Sequence, residues 1–212
     1  MIALLSTDRT AAQITVHQEP HHKIIFENEY VRLIDLTLRP NDTTLEHTHS
    51  IASAVVFLTH SKVAIQDAGK PPVVTEFEPG NTVFRNYGEK PVLHTVWIED
   101  TSVFTCLVAE MVHQAPVHPG VADPEDATKK LLWRQNLADA YNVRLASGQH
   151  YTLQKSSCAY LVICFAGKTE IESAAKTHSL DAGAYAFFAP DEEIILHAEQ
   201  GEPAGCVLLK LN

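Results

Sequence analysis

The chain has 212 residues, of which 45% are hydrophobic and 20% charged, with a formal net charge of −10. This balance is typical of a folded globular protein and excludes a wholly disordered one. The acidic charge also argues against a nucleic-acid or anionic-membrane partner, because such a partner requires a basic protein face. No apolar stretch approaches the roughly 18 residues of a membrane-spanning helix.

The first residues do not resemble a signal peptide, because the short apolar run within residues 1–8 has no basic segment before it. The cysteines form no CxxC pair and show no zinc-site spacing; they are Cys106, Cys158, Cys164 and Cys206. We interpret them as free thiols in a reducing compartment, and we expect a cytoplasmic protein.

Short β-rich segments dominate the first half of the chain. The predicted strands cover residues 30–38, 54–58, 62–65, 92–98 and 103–108. Turn-forming residues separate them, as in segments 40–42 and 79–81. Many short strands with regular turns are typical of a β-sandwich or a closed β-barrel.

The run of strand-forming residues ends after residue 110. Residues 114–120 are proline-rich, and Asp123-Pro124 resembles a helix start, with Asp as the N-cap and Pro at the first helical position. We predict a short helix that ends near Leu131. The segment from 113 to 136 is therefore interpreted as a linker.

Strand-forming segments then resume, and their turns and spacings repeat those of the first half. Segments 38–42 and 54–58 match 145–149 and 161–165 at an offset of 107 residues. Further along the chain, Gly80, Phe84 and His94 align with Gly183, Phe187 and His197 at an offset of 103 residues. Matching turns and spacings indicate a duplication. The predicted units are an N-terminal arm, a barrel, the linker and a second barrel, at residues 1–24, 25–112, 113–136 and 137–212.

Two histidines in the first half form the strongest chemical signal. His47 and His49 lie two apart in a segment predicted to be extended, so both imidazoles face the same side. Neutral imidazole is the commonest side-chain metal ligand. An HxH tripeptide alone is a weak signal in a chain with 12 histidines, because solvated or core histidines produce the same spacing.

The surrounding residues strengthen that signal. The turn at Pro40, the pair His47 and His49, the Pro79-Gly80 turn and the later His94 together resemble the motifs of the cupin superfamily. The resemblance covers residues 25–110 and extends to 137–212 as a degenerate copy. It implies an all-β fold of two tandem cupin barrels (double-stranded β-helix or jelly-roll), with a metal site at His47, His49 and His94.

The resemblance departs from the family pattern at one position. The family glutamate falls at Ser53 or Ala54, and neither side chain supplies a carboxylate. The remaining ligands are three neutral histidines, so a divalent ion keeps its full charge and attracts a small chelating anion. Three protein ligands leave coordination positions open, as in catalytic sites. The alternative is a vestigial cupin that has lost its metal together with its glutamate.

The second half lacks this ligand set. At the matching positions it has Gln154, Ser156 and Tyr160, and it retains only His197. Since Gln and Ser bind transition metals poorly, we interpret the second barrel as structural. His197 is predicted to be a packed or hydrogen-bonded histidine.

Other candidates have simpler interpretations. The adjacent His21 and His22 are predicted to lie on the surface, because neighbouring residues of a strand face opposite sides. His113 and His118 flank the proline-rich segment and are also expected at the surface. Arg85 and Tyr87 follow the Pro79-Gly80 turn and are weak catalytic candidates: the first to bind a substrate carboxylate, the second as an acid or hydrogen-bond donor.

The favoured hypothesis is a mononuclear enzyme with one divalent metal ion, Fe(II) preferred, that uses O2 to oxidise a small anionic molecule. The oxygenase class follows from the resemblance. Alternatives are a Zn, Ni or Mn lyase or isomerase at the same site, and a non-enzymatic cupin that binds a metal or small molecule. A homodimer is a mild expectation, and no nucleic-acid or membrane partner is expected.

Overall fold

The computed structural model describes residues 14–113, 123–174 and 176–212. Its elements are nineteen β-strands and a single turn of 3₁₀-helix at Val16–Gln18. No described helix has the length and apolar character needed to cross a membrane. The predicted all-β architecture of two tandem barrels is confirmed.

The N-terminal barrel consists of two five-stranded sheets that face each other. One sheet has the order β1-β4-β9-β6-β7, and the other has the order β2-β3-β10-β5-β8. The strand bounds are β1 Ile14–Thr15, β2 His22–Glu27, β3 Val31–Leu38, β4 His47–His49, β5 Ser53–Phe57, β6 Ser61–Asp67, β7 Val73–Phe77, β8 Thr82–Arg85, β9 Val92–Ile98 and β10 Phe104–Met111.

The C-terminal barrel repeats this plan. A five-stranded sheet of order β11-β12-β19-β14-β17 faces a four-stranded sheet of order β13-β18-β15-β16. The strand bounds are β11 Lys129–Arg134, β12 Ala138–Leu145, β13 His150–Leu153, β14 Ala159–Ala166, β15 Lys168–Ser173, β16 Thr177–Asp181, β17 Tyr185–Phe188, β18 Ile194–Ala198 and β19 Ala204–Leu211.

Alternation along the strands sends side chains into two separate cores. In β10, Cys106 and Val108 point into the N-terminal barrel, whereas Leu107 and Ala109 point to the opposite face. That opposite face packs against the sheet of β12, β14 and β19, where Leu161 is fully buried. A continuous apolar layer therefore joins the two barrels face to face.

The predicted linker helix is wrong. Residues 123–126 have no regular structure, and Lys129–Arg134 is strand β11, which pairs with β12 through a β-bulge. The Asp-Pro signal lies in an irregular turn, where Asp126 Oδ1 accepts the N–H groups of Thr128 and Lys129. The strands also extend past the predicted domain bounds, because β1 and the start of β2 lie in the predicted arm.

Candidate metal centre

Two strands bring the predicted histidines together. His47 and His94 are directly opposed partners of β4 and β9, and His49 follows on the same face of β4. Nε2 of His47 lies 3.2 Å from Nε2 of His49 and 3.2 Å from Nε2 of His94. All three side chains are buried. His47 thus lies between His49 and His94, with its Nε2 atom close to a ring nitrogen of each.

These separations suit a shared metal ion. Imidazole nitrogens bound at about 2.0–2.1 Å and at angles between 90° and 109° lie roughly 2.9 to 3.4 Å apart. The Nδ1 atom of His47 donates to the Leu45 carbonyl over 2.8 Å, because a carbonyl only accepts. Nε2 of neutral His47 then carries a lone pair. This lone pair can accept a hydrogen bond from only one of the two neighbouring ring nitrogens, whereas a metal ion can bind all three.

Burial keeps these imidazoles neutral. It lowers the pKa of His47 and of His94 to about 4, and that of His49 to about 2. Neutral imidazole is the form that binds metals. Nδ1 of His49 is buried and has no hydrogen-bond partner within the described ranges. The cluster is therefore able to bind a metal at neutral pH without first losing protons.

A fourth histidine joins the cluster, and its predicted surface position is wrong. His22, the first residue of β2, is only 6% exposed. One ring nitrogen each from His22, His47 and His49 lie within 4.8 Å of one another. The ring centroids of His22 and His47 are 4.6 Å apart. The adjacent His21 is partly exposed, so the two neighbours face different sides as expected.

Glu19 holds His22 in place. Its Oε2 atom accepts Nδ1–H of His22 over 2.6 Å, and its Oε1 atom accepts the Leu45 N–H over 3.1 Å. Burial alone would raise the pKa of Glu19, but hydrogen bonds from His22, His21 and Leu45 outweigh this effect and lower it to about 2. A carboxylate that accepts the second N–H of a metal-binding histidine is a common feature of metal sites.

Sequence reasoning missed Glu19 and His22. Their only local signal is a spacing of three residues, Glu19-x-x-His22. This spacing brings the two side chains together only because a 3₁₀ turn precedes β2. The turn brings the carboxylate beside the ring. No pattern within the segment indicates that His22, at the start of β2, packs against the HxH strand of the opposite sheet.

The structure also shows what replaces the family glutamate. Ser53 faces the barrel interior, as Phe57 does further along β5, whereas Ala54 faces the layer between the barrels. Ser53 Oγ donates to the Ile51 carbonyl over 2.7 Å. Neither residue offers a carboxylate, and only Ser53 faces the interior where the family glutamate would lie.

A mostly apolar cavity opens beside the histidines. Its volume is about 90 Å³, enough for several water molecules or a small organic molecule. His22, His49 and His94 contribute to its wall, and so do the weak candidates Arg85 and Tyr87. The remaining wall comes from Leu36, Val55, Phe57, Val63, Ile65, Phe77, Val83, Val96, Phe104, Cys106 and Val108.

Arg85 and Tyr87 differ in how firmly they are held. Arg85 is exposed, and its side chain makes a 3.5 Å contact with the Phe84 carbonyl. No ion pair to a described carboxylate involves it. The Tyr87 ring lies 5.0 Å from the His49 ring, and burial raises the Tyr87 pKa, so its hydroxyl remains a donor. Both residues line the cavity next to His49 and His94.

The sheet register corrects the predicted counterparts in the second barrel. His47 opposes His94 in β4 and β9, whereas Leu153 opposes Ile194 in β13 and β18. The counterpart of His94 is therefore Ile194 and not His197. Both Leu153 and Ile194 are buried in the C-terminal core, so apolar side chains occupy the positions that His47 and His94 have in the first barrel.

His197 has a different setting. It is half-buried, lies 3.6 Å from the exposed Glu172, and its ring centroid is 6.0 Å from that of His150. Of the two histidines predicted near the proline-rich segment, His113 is exposed. His118 lies outside the described residues.

Solved structures show the same fold. No protein-family model and no curated protein matches the sequence. A cupin 2 conserved barrel domain protein from Leptotrichia buccalis superposes with a TM-score of 0.58 at 11% identity, covering 90% of this chain and 88% of that one. Salicylate 1,2-dioxygenase from Pseudaminobacter salicylatoxidans gives 0.62 at 12% identity, covering 86% and 71%.

An oxalate decarboxylase gives a TM-score of 0.65 at 11% identity, covering 90% of this chain and 72% of the other. These similarities span both barrels of the chain. At such low identity they establish architecture and carry no activity to this protein. Together with the sheet order and the repeated register, they show that this chain has the cupin fold in duplicate, that is, a bicupin fold.

Proposed function

We propose that the N-terminal barrel binds one divalent metal ion through His47, His49 and His94, and that the protein is a metal-dependent oxygenase acting on a small anionic substrate. The observation that carries the metal site is the pair of 3.2 Å separations centred on Nε2 of His47. Fe(II) is our first choice, because imidazole ligands suit it and the superposed salicylate 1,2-dioxygenase is itself an oxygenase.

The charge of the site selects the substrate class. The histidines His47 and His49 are neutral, and the nearby Glu19 carboxylate already accepts four hydrogen bonds, from His21, His22 and Leu45. A bound divalent ion therefore remains cationic and favours a chelating anion. When bound, the metal supplies coordination positions that bring the substrate and O2 together.

The cavity residues then orient the substrate. Arg85, with no carboxylate partner among the described residues, is placed to bind a second anionic group at the cavity wall. Tyr87 is held beside His49 and offers a hydroxyl donor. The apolar wall excludes water and limits the substrate to a small molecule.

His22 supports a second candidate, a metal-binding protein without turnover. If His22 binds the ion together with the other three histidines, the site has four protein ligands, the number typical of closed structural sites. The hydrogen bond that His22 Nδ1–H donates to Glu19 favours this arrangement, because it leaves Nε2 of His22 free to bind the ion. The Zn, Ni or Mn lyase or isomerase keeps the same ligands but needs no O2.

Elemental analysis of protein purified without a histidine tag tests the metal site. We expect about one equivalent of a transition metal per chain, and a loss of at least about tenfold in affinity for His47→Ala. His197→Ala is the matched control, since it removes a histidine from the other barrel. Metal content that is substoichiometric in every preparation, or unaffected by His47→Ala, would contradict the proposal.

Oxygen consumption separates the candidates. The iron-loaded protein is assayed with a panel of small diketones, thiol carboxylates and hydroxybenzoates. Uptake of O2 that depends on His47 supports the oxygenase, and a rise in KM for Arg85→Met supports the role of that arginine. Tight metal binding with no consumption of O2, and no anaerobic turnover with any bound metal, favours the binding protein.

A further inference from the structure

The C-terminal barrel has a polar pocket at the end that corresponds to the metal centre. In β2, His22 pairs with Leu36, and in β11, Lys129 pairs with Val143 at the matching position of the repeat. Lys129 therefore takes the place of His22. Where Glu110 opposes Arg32 in the first barrel, Lys210 opposes Asp139 in the second. The second barrel therefore has lysines at the positions of His22 and Glu110, and Asp139 at the position of Arg32.

Both lysines are nearly inaccessible. Lys129 is 4% exposed and Lys210 is 6% exposed, which is unusual for side chains that almost always keep their charge in water. They share one carboxylate: Asp123 Oδ1 lies 2.6 Å from Nζ of Lys210, and Asp123 Oδ2 lies 3.2 Å from Nζ of Lys129. The direct contacts thus combine two positive charges with one negative charge.

The ammonium groups retain unused donors. Each carries three N–H donors, and in the described residues each makes one hydrogen bond, the one to Asp123. Nζ of Lys129 also lies 4.8 Å above the Tyr141 ring, a cation–π contact that uses no acceptor. Buried charged donors without acceptors are costly, so the arrangement favours a further anionic acceptor.

A cavity of about 440 Å³ adjoins these groups. Its other polar wall residues include Lys155, Tyr151 and Tyr160, and the hydroxyl of Tyr160 already points to Asp123 Oδ2 over 3.4 Å. Burial raises the pKa of both tyrosines, that of Tyr151 to about 12, so both hydroxyls remain protonated donors. Counting Asp126 as well, three lysines face two carboxylates across the cavity. The carboxylate of Asp139, which opposes Lys210 in β12, is paired with Arg134 over 3.5 Å, so the cluster keeps one excess positive charge.

We propose that this pocket is a second ligand site, independent of metal, in which a small organic carboxylate binds to Lys129 and Lys210 beside Asp123. A carboxylate matches the group that the lysines already hold, and the excess positive charge favours a monoanion. The second barrel, which the sequence suggested to be only structural, then has a binding role. The proposal does not depend on the metal centre, since it uses no residue of that cluster.

Binding of ¹³C-labelled acetate to the full chain, stripped of metal by a chelating resin that is then removed, and followed by NMR line broadening at constant ionic strength, tests this site. Removing the metal eliminates any anion binding through an ion at the histidine cluster, and removing the resin leaves no competing carboxylate. We expect saturable binding to the wild type. Asp123→Asn keeps the shape of the side chain and removes a competing negative charge, so its affinity for acetate should rise roughly tenfold.

Matched lysine variants provide the control. Lys210→Met should abolish the broadening, whereas Lys130→Met, which removes the same charge from an exposed neighbour of Lys129, should leave it unchanged. Each variant is compared with itself with and without acetate, so a change in its basal stability does not affect the result. No saturable binding in the wild type and in Asp123→Asn, or equal binding in the two lysine variants, would overturn the proposal.

Discussion

At the scale of single residues, the sequence predicted ligands whose geometry follows from local spacing. His47 and His49 share a face because a strand alternates, and that rule needs no tertiary information. His22 and Glu19 could not be found in this way. Their role depends on the packing of His22 against β4 of the opposite sheet and on the 3₁₀ turn that orients the Glu19 carboxylate, and strand alternation predicts neither of these.

The Glu19 carboxylate should strengthen metal binding without touching the ion, because it holds the His22 ring by a hydrogen bond. In the four-histidine arrangement we expect Glu19→Gln to weaken metal affinity by about 10- to 100-fold, because the His22 ring loses its charged partner. Metal titration by calorimetry measures the change. Glu46→Gln is the control, since Glu46 is exposed beside His47. Equal affinities in the two variants would show that Glu19 does not position a ligand.

The buried histidines also predict a pH dependence of the metal-free protein. Their pKa values, about 4 for His47 and His94 and about 2 for His49, lie below the unfolded value of about 6.5. The unfolded chain therefore binds more protons below pH 6.5. Stability present above pH 6.5 should fall by on the order of 3 kcal/mol for each of these histidines as the pH drops to 4.

Urea unfolding of the metal-free protein from pH 7 to pH 4 measures this loss. The control is the double variant His47→Leu with His94→Ile, which installs the residues that the second barrel has at these positions. It should bind no metal and show a much weaker decline over the same range. An equally steep decline in the variant would assign the pH dependence to other groups.

At the scale of elements, the duplication was visible but its register was not. The offset of 107 residues holds for β3 and β12 and for β5 and β14, whose long apolar strands align without gaps. Beyond β8 the second copy is shorter, and the pairing moves the offset at β9 and β18 to 100. Since a loop can lose residues without changing the strands beside it, the sequence alone assigned His197 wrongly.

The prediction of a linker helix was wrong because strand pairing overrides a local signal. Asp and Pro mark a helix start only if an amphipathic helix follows, and here the next segment alternates as a strand does. Lys129 is buried while Lys130 is exposed. Pairing with β12 then outweighs the local capping signal.

The Pro79-Gly80 turn illustrates how one element depends on the other barrel. Gly80 has φ +81°, and a Cβ atom there would lie 2.7 Å from the Phe165 ring of β14. Gly80→Ala should therefore lower the free energy of unfolding by about 2–3 kcal/mol, from backbone strain and from the displaced ring.

Chemical unfolding measures this effect, and Gly69→Ala provides the comparison. Gly69 has a similar φ of +73°, but nothing lies within 4 Å of a Cβ built there. Its substitution should cost only the backbone strain, about 1 kcal/mol. If the two variants lose the same stability, the contact between the Pro79-Gly80 turn and Phe165 contributes nothing to joining the barrels.

At the scale of the whole molecule, the second barrel covers a face of the first. The layer between them includes Leu33 and Leu107 from one barrel and Leu161 and Leu209 from the other, all fully or almost fully buried. Separating the barrels would expose this layer to water, at a cost near 25 cal/mol for each Å² of apolar surface. The two barrels should consequently unfold together, and metal bound to one should stabilise both.

The two tryptophans allow a direct test, because Trp97 lies in β9 of the N-terminal barrel and Trp133 in β11 of the C-terminal barrel. Trp133→Phe leaves a reporter of the first barrel, and Trp97→Phe leaves a reporter of the second. In each variant, fluorescence and far-UV circular dichroism should give the same unfolding midpoint, since circular dichroism reports both barrels. A saturating metal ion, at about 100 times its Kd, should raise the midpoint of both variants, with a gain near 2.7 kcal/mol. A metal-induced shift reported by Trp97 but not by Trp133 would mean that the barrels unfold separately and that the shared layer does not couple them.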